Sequence, residues 1–369
     1  MNEIAGKTPW LTLHVSNPLQ SETPLTLLRR SHVTDKAHLY IRNNQDLDGY
    51  MTLDAAPTDW NLTVCDGISS EQLSLHDLQR YPKAETEMVL QCSGNSRGHF
   101  GGSSPVSGAQ WQDGAVANVV FGGVRLQTVL DDLGFYAGFQ GGTRYLTARG
   151  AGTAQDHHGP FERSVPLDDV LGDALLATIL NGEPLPALHG GPLRLVLPGF
   201  YGVNNVKWLT QLSMDDEESK SHYQRDKYRL PRERLEPGQP FVGTLENSTP
   251  SWRMKLRSLL WRPLIGETLP SGPTQIGGVA WTDGRSRVAR VAISLDRGET
   301  WHDAELDNPK SPYAWSVWAL TLELPEGEPE VWIRAFDDTG YAQPLEPGTG
   351  WNPAGYEWSN VQRVRLAVR

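Results

Sequence analysis

The chain has 369 residues, a formal net charge of −11 and two cysteines, Cys65 and Cys92. The length predicts two or three domains, each able to bury its own core, and two thiols are too few for a disulfide scaffold or a four-cysteine zinc site. The acidic balance argues against nucleic acid as a partner, because that binding needs a basic surface, and no apolar run approaches the roughly 18 residues of a membrane-spanning helix.

The N-terminus carries no basic segment followed by an apolar core, so the sequence does not predict a secretory signal. Polar residues follow the pair Arg29–Arg30, where a twin-arginine export signal would need an apolar stretch. We therefore expect a cytoplasmic protein, or a periplasmic one if a leader has been removed.

The first two thirds of the chain mix helical and strand patterns. Ser74 and Asp77 have the spacing of a helix-capping box, and Gly134 is a natural stop for a helix. Apolar spacing predicts helices at 75–81, 125–133 and 167–180 and strands at 85–92, 193–197 and 206–212. A domain that contains both helices and sheet is therefore expected here.

The last third alternates apolar and polar residues. The alternation is clear around Val291, Trp318 and Val331, and it predicts strands with one buried face. Turns separate these strands at the spacing of a β-sandwich, so we expect an all-β domain at 250–369, reached through a connector at 229–250. The tryptophans of this domain are expected to fill its core, namely Trp315, Trp318, Trp332, Trp351 and Trp358.

The segment Cys92–Arg97 is the richest local signal for chemistry. It places a thiol at the end of a strand, five residues before a cation, and such a thiol is suited to act as a nucleophile or as a ligand for a soft metal. The alternative is structural, because cysteine is among the most buried residue types. Cys65 lacks a neighbouring cation, and we expect it to be buried packing.

The segment Gly94–Gly98 also matches the nucleophile elbow of serine hydrolases, with Ser96 at its centre. Glycine and proline follow this segment, and they oppose the helix that the elbow requires. A serine hydrolase that uses Ser96 is therefore a distant alternative.

A second group of candidate residues surrounds Gly-rich turns at 189–208. His189, Arg194 and Lys207 lie beside predicted strands, and such cations with free backbone N–H groups can hold a phosphate or another oxyanion. The alternative is ordinary turn chemistry with solvated charges. The adjacent pair His157–His158 lacks the spacing of metal ligands and is expected at the surface.

In this order and spacing, the segments resemble the sulfite oxidase family of molybdenum cofactor oxidoreductases, in a bacterial, haem-free form. The resemblance runs over nearly the whole chain. Cys92–Arg97 matches the Cys-x-Gly-Asn-x-Arg segment of the family, and Trp351–Tyr356 resembles part of its dimerisation domain. Further matches in chain order are Arg42–Asn43, Trp111, His189–Arg194, Val206–Trp208 and Tyr228.

The resemblance implies an α+β molybdopterin-binding domain of sulfite oxidase type over 1–245, followed by an all-β immunoglobulin-like sandwich domain that dimerises, over 250–369. It implies a molybdenum–molybdopterin cofactor (Moco) with the Cys92 thiolate as metal ligand, and no haem in this chain. The partners that it implies are a small oxyanion substrate, a separate electron acceptor such as a cytochrome, and a second copy of the chain.

The same resemblance assigns roles to the site residues. Arg42 and Arg97 would hold the oxyanion, a task that suits planar guanidinium groups. Tyr228 would donate a neutral hydrogen bond to the substrate or to an oxo ligand, and Trp111 would wall the pocket. The residues that would bind the cofactor are Arg42, Asn43, Cys92, His189, Arg194 and Lys207.

Two positions depart from the family pattern. Asn44 stands where the family usually has a histidine, and Ala354 stands where animal sulfite oxidases carry an arginine. A hydrogen bond to a charged group is worth about 1.5 to 3 kcal/mol, so the missing guanidinium bears on the choice of substrate. Oxidation of sulfite or a related sulfur oxyanion to sulfate is the leading hypothesis, and reduction of nitrate or of an S- or N-oxide is the alternative.

Overall fold

A computed structural model of the chain describes residues 4–45, 59–100, 104, 106–135, 144–152 and 158–369. Strands dominate it, and the helices are short. The α-helices are Leu25–Leu28, Leu75–Leu78, Leu126–Leu133 and His222–Arg225, and 3-10 turns occupy Lys36–His38, Arg97–Phe100, Leu167–Asp169, Ala187–His189 and Gly202–Asn204. Within the described ranges, no helix combines the length and the apolar character needed to cross a membrane.

Two of the three predicted helices are confirmed in place. Leu75–Leu78 begins with a reciprocal cap, in which Asp77 N donates to Ser74 Oγ at 3.1 Å and Ser74 N donates to the Asp77 carboxylate at 2.9 Å. Leu126–Leu133 ends at Gly134, whose φ of +69° is the left-handed conformation that closes a helix. Both signals are local, so the sequence alone can predict them.

The helix predicted at 167–180 is wrong. Leu167–Asp169 is a 3-10 turn, and Leu175–Leu180 is a strand. This strand lies in the middle of a sheet, with Val116–Arg125 on one side and Arg194–Val196 on the other. A strand that is buried on both faces has a continuous apolar run, which periodicity does not distinguish from a buried helix.

The N-terminal region contains three main sheets, called here sheets 1, 2 and 3. Sheet 1 is antiparallel and consists of Thr12–Val15, Gln20–Glu22 and Ile41–Arg42. Sheet 2 has the order Glu183–Pro184, Leu175–Leu180, Val116–Arg125, Lys83–Gln91, with Arg194–Val196 also paired to its second strand. Sheet 3 has the order Ser70–Ser74, Asn61–Cys65, Leu209–Asp215, Tyr145–Gly150, Glu162–Pro166.

Sheet 2 is covered on both faces. On one face, Leu176 lies in the same buried cluster as Leu62 of sheet 3. On the other, Met88 and Leu90 lie in a second buried cluster together with Cys92. The strand before Cys92 therefore presents alternate residues to the second cluster, as its period-two pattern predicts.

The C-terminal region is a β-sandwich of two four-stranded sheets. One sheet has the order Arg257–Arg262, Gly272–Trp281, Ser316–Leu324, Glu305–Leu306, and the other has the order His302–Asp303, Val288–Ser294, Glu330–Asp337, Gln362–Arg365. Thr268–Leu269 and Ala367–Val368 form a short parallel pair. The inner faces share one core that includes Ile276 and Ile293, which confirms the predicted all-β sandwich.

The tail tryptophans do not all fill this core. Trp318 lies in it. Trp315 lies in a cluster shared with the N-terminal region, Trp351 and Trp358 pack in a cluster at the junction with that region, and Trp332 is half-buried. The prediction is therefore wrong for four of the five, because large aromatic side chains here also cover the junction between the two regions.

The predicted connector at 229–250 is not an open linker. Its ends, Arg229–Pro231 and Ser248–Pro250, pair as an antiparallel two-stranded sheet. The Arg229 guanidinium strengthens the pairing, since its Nε donates to Ser248 Oγ at 2.8 Å. The segment therefore returns to its own starting point before the sandwich begins.

Cys65 differs from its expected environment. It is half-buried at the end of the strand Asn61–Cys65, and Gly67 N donates to its Sγ at 3.4 Å. A turn follows immediately and carries the chain away from the core. The expectation of buried packing is therefore wrong for this residue.

Candidate cofactor and active site

A cavity lies where strands of sheets 1 and 2 end beside the turns at 189–208. Its wall includes six residues that the sequence singles out, namely Arg42, Cys92, His189, Arg194, Lys207 and Tyr228. Asn43 is buried beside the wall, and its Oδ1 accepts a hydrogen bond from Lys207 Nζ. The fold thus brings together residues that lie up to 186 positions apart in the chain.

Cys92 is held at one side of the cavity by backbone contacts. Its N–H donates to the Ala115 carbonyl at 2.9 Å, which continues the strand pairing into the loop. Gly94 N donates to Cys92 Sγ at 3.4 Å. A backbone N–H directed at sulfur favours negative charge on it, so the position suits a thiolate that binds a metal.

Arg42 and Tyr228 form the oxyanion-binding candidates of the same wall. Arg42 Nη2 donates to the Tyr228 hydroxyl at 3.2 Å, and that hydroxyl donates to Asn44 Oδ1 at 2.9 Å. Burial opposes the charge on Arg42, but the Tyr228 and Cys92 groups outweigh burial and raise the pKa of the guanidinium. Arg42 therefore stays charged in a site that excludes most water.

Two aromatic residues of the wall have unusual backbone conformations. Trp208 has a φ of +53° and Tyr228 a φ of +55°, and such conformations cost roughly 1 to 3 kcal/mol each for a residue other than glycine. Tyr228 is held in place by stacking on Tyr356, with ring centroids 5.1 Å apart, and by the Arg163 guanidinium 5.6 Å from its ring. Strain of this kind concentrates at functional sites.

A cluster of cations also lines the cavity, with Arg194 buried and Lys207 half-buried. Arg194 donates to the His189 carbonyl at 2.9 Å, and Lys207 Nζ donates to the Leu188 carbonyl at 3.2 Å. Burial lowers the pKa of Arg194 to about 10. Burial, and then the neighbouring Arg194 and Arg42 charges, lower the pKa of Lys207 well below its ordinary value.

A glycine lets these cations approach one another. Gly190 has a φ of +107°, and a Cβ there would lie 2.8 Å from Lys207 Cγ and 3.1 Å from Arg194 Cδ. Any side chain at this position would push the two cations apart. The His-Gly segment therefore has a geometric reason for its glycine.

The chemistry of the wall fits an anionic cofactor. Of the described residues that line the cavity, none is acidic, so the cations there face no carboxylate. His189 Nε2 is buried without a hydrogen-bond partner among the residues that the structure describes, and an unsatisfied buried polar atom is costly. A phosphate group beside His189, Arg194 and Lys207, together with a soft metal at Cys92, would satisfy all of these groups, so the residues fit Moco.

Arg97 lies behind the wall rather than on it. Its Nη1 donates to the Ala109 carbonyl at 3.0 Å and its Nε to the Ala354 carbonyl at 2.9 Å. A Cβ at any of three glycines would come within 2.7 Å of its side chain, namely Gly94, Gly108 and Gly355. The guanidinium thus fits tightly and ties the Cys92 loop to the C-terminal region, and its predicted contact with substrate stays a prediction.

Trp111 also lies behind the cavity. It is fully buried in the same cluster as Cys92, and its ring stands 4.7 Å from that of His14. Its carbonyl accepts a hydrogen bond from Gly98 N at 2.9 Å. The structure therefore places Trp111 where it supports the Cys92 loop, one layer away from the wall.

A buried polar network also ties the Cys92 loop to the sandwich. Asp113 accepts hydrogen bonds from Ser96 Oγ and, at 2.8 Å, from Arg257 Nη2, and His99 Nε2 lies 3.1 Å from its carboxylate. Gln362 donates to the same carboxylate at 3.3 Å. Burial alone would raise the pKa of Asp113, but His99, Arg257 and Ser96 hold it below its ordinary value.

This network bears on the serine hydrolase alternative. Ser96 is fully buried, and Arg257 Nη2 donates to its Oγ at 2.7 Å. The hydroxyl thus lies between a carboxylate and a guanidinium, away from the described cavity wall. The geometry supports a structural role for Ser96 and not that of a hydrolase nucleophile.

Sequence reasoning missed several residues of the wall, including Tyr40, Gln45 and Phe161. Tyr40 could have been found, because it lies two residues before Arg42 on the same side of an extended segment. Phe161 gave no signal, since only the tertiary fold brings it to the site. His157 lies outside the described residues, whereas His158 is exposed, as expected.

Two protein families match the chain. Residues 49–223 match the oxidoreductase molybdopterin binding domain, and residues 249–368 match the Mo-co oxidoreductase dimerisation domain. The first match contains Cys92, His189 and Lys207. The second covers the sandwich.

Curated relatives agree with these matches. Mitochondrial sulfite oxidase of Rattus norvegicus is 33% identical over 98% of this chain and 66% of its own length, and sulfite oxidase of Gallus gallus is 32% identical over 94% and 76%. Nitrate reductase (NADH) 2 of Phaseolus vulgaris is 27% identical over 99% of this chain and 43% of its own length. The chain thus spans about two thirds of the length of the rat relative.

A solved structure shows the same architecture. The sulfane dehydrogenase SoxCD of Paracoccus pantotrophus superposes with a TM-score of 0.77 and 26% identity, over 98% of this chain and 87% of the matched chain. The similarity covers both the cavity and the sandwich. The predicted fold class is therefore confirmed.

Proposed function

The chain belongs to the sulfite oxidase family of molybdenum cofactor oxidoreductases, and from that premise we propose that it uses Moco to oxidise sulfite or a related sulfur oxyanion. Sulfite and water would give sulfate, two protons and two electrons. The observation that carries the proposal is the shared wall of Cys92, Arg42 and Tyr228. It sets a metal-binding thiolate beside a guanidinium and a phenol, which are the groups that recognise an oxyanion.

The residues of the wall have separate tasks in this proposal. Arg42 binds the oxyanion through its fixed positive charge. The Tyr228 hydroxyl is held between Arg42 and Asn44 and offers a hydrogen bond without adding charge. When bound, the molybdenum centre of Moco supplies the oxygen-atom transfer and takes up the two electrons.

The buried cations hold the cofactor. Arg194 and Lys207 neutralise its phosphate, and His189 donates to it through Nε2, which has no partner in the described part of the chain. Asn43 orients Lys207, since its side-chain oxygen accepts from the ammonium. Removal of water from this part of the site strengthens each of these interactions.

The partners follow from the same proposal. The electrons leave through a separate electron acceptor, such as a cytochrome. The match of residues 249–368 to a dimerisation domain supports a homodimer formed through the sandwich.

Reduction of nitrate or of an S- or N-oxide is the second candidate, and Ala354 is the observation that favours it. Its methyl group packs beside the buried cluster of Tyr223, Tyr228 and Tyr356, where a guanidinium would add a further cation. Nitrate carries a single negative charge and therefore needs fewer cations than the sulfite dianion. The match to a nitrate reductase supports the same candidate.

One experiment separates these functions. The protein is purified from cells with a functional Moco pathway, its molybdenum content is measured, and it is assayed both for sulfite-dependent reduction of an artificial acceptor and for nitrate-dependent oxidation of a reduced dye. Near-stoichiometric molybdenum with sulfite oxidation supports the leading proposal. Nitrate-dependent turnover alone would replace it with the second candidate, and absence of molybdenum would refute both.

Cys92→Ser tests the metal ligand directly. We expect this variant to lose turnover and to keep the fold, because a weakly acidic hydroxyl does not replace a thiolate ligand. Circular dichroism and thermal unfolding of the cofactor-free protein check the fold. Turnover retained in Cys92→Ser would show that the assignment of Cys92 is wrong.

A further inference from the structure

Gln45 has an unsatisfied polar atom in the cavity wall. The residue lines the cavity three positions after Arg42, and 2% of its surface is exposed. Its Nε2 lies 3.5 Å from the Gly159 carbonyl, at the outer limit of a hydrogen bond. Its Oε1 is buried and has no hydrogen-bond partner among the residues that the structure describes.

The amide is packed so that it cannot turn freely toward solvent. A Cβ at Gly152 would lie 2.6 Å from Gln45 Oε1 and 3.0 Å from Gln45 Cβ, so the backbone at Gly152 approaches the side chain closely. An acceptor that is buried without a partner is expensive, and buried polar groups in proteins are nearly always hydrogen-bonded. The position therefore calls for a ligand that brings a donor.

The polar groups of the wall differ in what they can bind. Arg194 and Lys207 are donors only, and they suit a phosphate, which offers acceptors. Gln45 Oε1 is an acceptor only, and it suits an N–H group. Molybdopterin carries both kinds of group, a phosphate at one end and the N–H groups of its pterin ring at the other.

We infer that Gln45 Oε1 accepts a hydrogen bond from an N–H group of the pterin ring. This inference rests on the proposed use of Moco. Gln45 thus favours the end of the cofactor that carries N–H groups over the end that carries the phosphate. The sequence did not single out this residue, because its role depends on the cavity and on no motif.

Gln45→Met tests the inference, since it removes the acceptor and nearly keeps the side-chain volume. We expect molybdopterin to leave the purified holoenzyme roughly three to ten times faster, as the loss of one hydrogen bond predicts. The rate is followed by the fluorescence of released and oxidised pterin. The melting temperature of the cofactor-free protein should stay the same or rise, because an unsatisfied atom has been removed.

Gln224 provides a matched control in a different environment. It is fully buried, its Oε1 accepts from Ser164 N at 3.2 Å, and its Nε2 donates to Glu218 at 2.7 Å. Gln224→Met should lower the melting temperature of the cofactor-free protein, because it breaks satisfied hydrogen bonds, and it should leave the release rate of the cofactor unchanged.

Two results would overturn the inference, and they are distinguishable. If Gln45→Met behaves like Gln224→Met, with a lower melting temperature and an unchanged release rate, Gln45 is a structural residue and the proposed function still stands. If the wild-type protein from cells that make Moco contains no molybdopterin, the inference and the proposed function both fail.

Discussion

The chain buries two groups of cations, and they differ in what neutralises them. At the junction between the regions, Arg257 donates to the carboxylate of Asp113 at 2.8 Å, and the pair has further partners inside the protein. In the cavity, Arg194 and Lys207 face no carboxylate among the described lining residues. The first group has its counter-charge inside the folded chain, whereas the second has none among the lining residues that the structure describes.

This difference separates the cations that support the fold from the cations that bind a ligand. A buried ion pair with several further hydrogen bonds holds its surroundings in one arrangement, and the Asp113 network holds Ser96 in the loop that begins at Cys92. Buried cations without a counter-charge destabilise the protein until a ligand arrives. The two groups should therefore respond to substitution with opposite signs in the cofactor-free protein.

Asp113→Ala should have the largest effect on stability. It leaves the Arg257 guanidinium buried without its counter-charge, so we expect the free energy of unfolding to fall by about 3 to 5 kcal/mol. Chemical denaturation of the cofactor-free protein measures this loss. The control is Glu346→Ala, which removes an exposed pair with Arg234 at 3.2 Å and should cost less than about 1 kcal/mol. Equal losses in the two variants would contradict the contrast drawn here.

Lys207→Met should change the free energy of unfolding in the opposite direction. It removes a desolvated ammonium group that other cations repel, and replacement of uncompensated buried charge by a methionine of similar length should stabilise the cofactor-free protein by roughly 1 to 4 kcal/mol. The same denaturation experiment measures this gain, and the molybdopterin content of the variant from Moco-producing cells should fall. A loss of stability as large as that of Asp113→Ala would show that the cavity is already complete without a ligand.

The pH dependence of stability tests the same group of cavity residues, with a smaller expected effect. Burial first, and then Lys7, Lys207 and Arg194, lower the pKa of His189 well below 6.5. Below pH 6.5 the unfolded imidazole binds a proton that the folded one does not, so the free energy of unfolding falls as the pH falls. One such histidine costs about 1 kcal/mol between pH 6.5 and 5.5.

His189→Gln should remove that contribution from the measured slope of the cofactor-free protein. The control is His76→Gln, at an exposed histidine that does not line the cavity. An unchanged slope in His189→Gln would mean that this imidazole takes up its proton equally in the folded and unfolded chains.

The sequence predicts correctly those features that depend on neighbouring residues in the chain. The capping box at Ser74 and the stop at Gly134 depend on neighbours in the chain, so the sequence predicts them correctly. The strand Leu175–Leu180 was mistaken for part of a helix, because its apolar run is buried on both faces by strands from elsewhere. A single sequence shows local signals such as helix caps, but it does not show which strands pair over long distances in the chain.

The site follows the same rule. Arg42, Cys92, His189 and Lys207 meet in the cavity, and the spacing of their motifs is what singled them out. Gln45 belongs to no such motif, and its importance depends on which groups surround it after folding. Arg97 shows the reverse, since its motif is clear but its guanidinium is already bonded to two backbone carbonyls.

Inorganic phosphate should have the smallest effect on stability. It tests directly whether the cations of the cavity bind an anion. It should stabilise the cofactor-free protein by about 0.4 kcal/mol when its concentration equals its dissociation constant, because it neutralises Arg194 and Lys207. Thermal unfolding in phosphate is compared with unfolding in chloride at the same ionic strength. Lys207→Met should abolish the difference, whereas Glu346→Ala should keep it. If chloride and phosphate stabilise the wild type equally, the cations of the cavity have no preference for the group that the cofactor would bring to them.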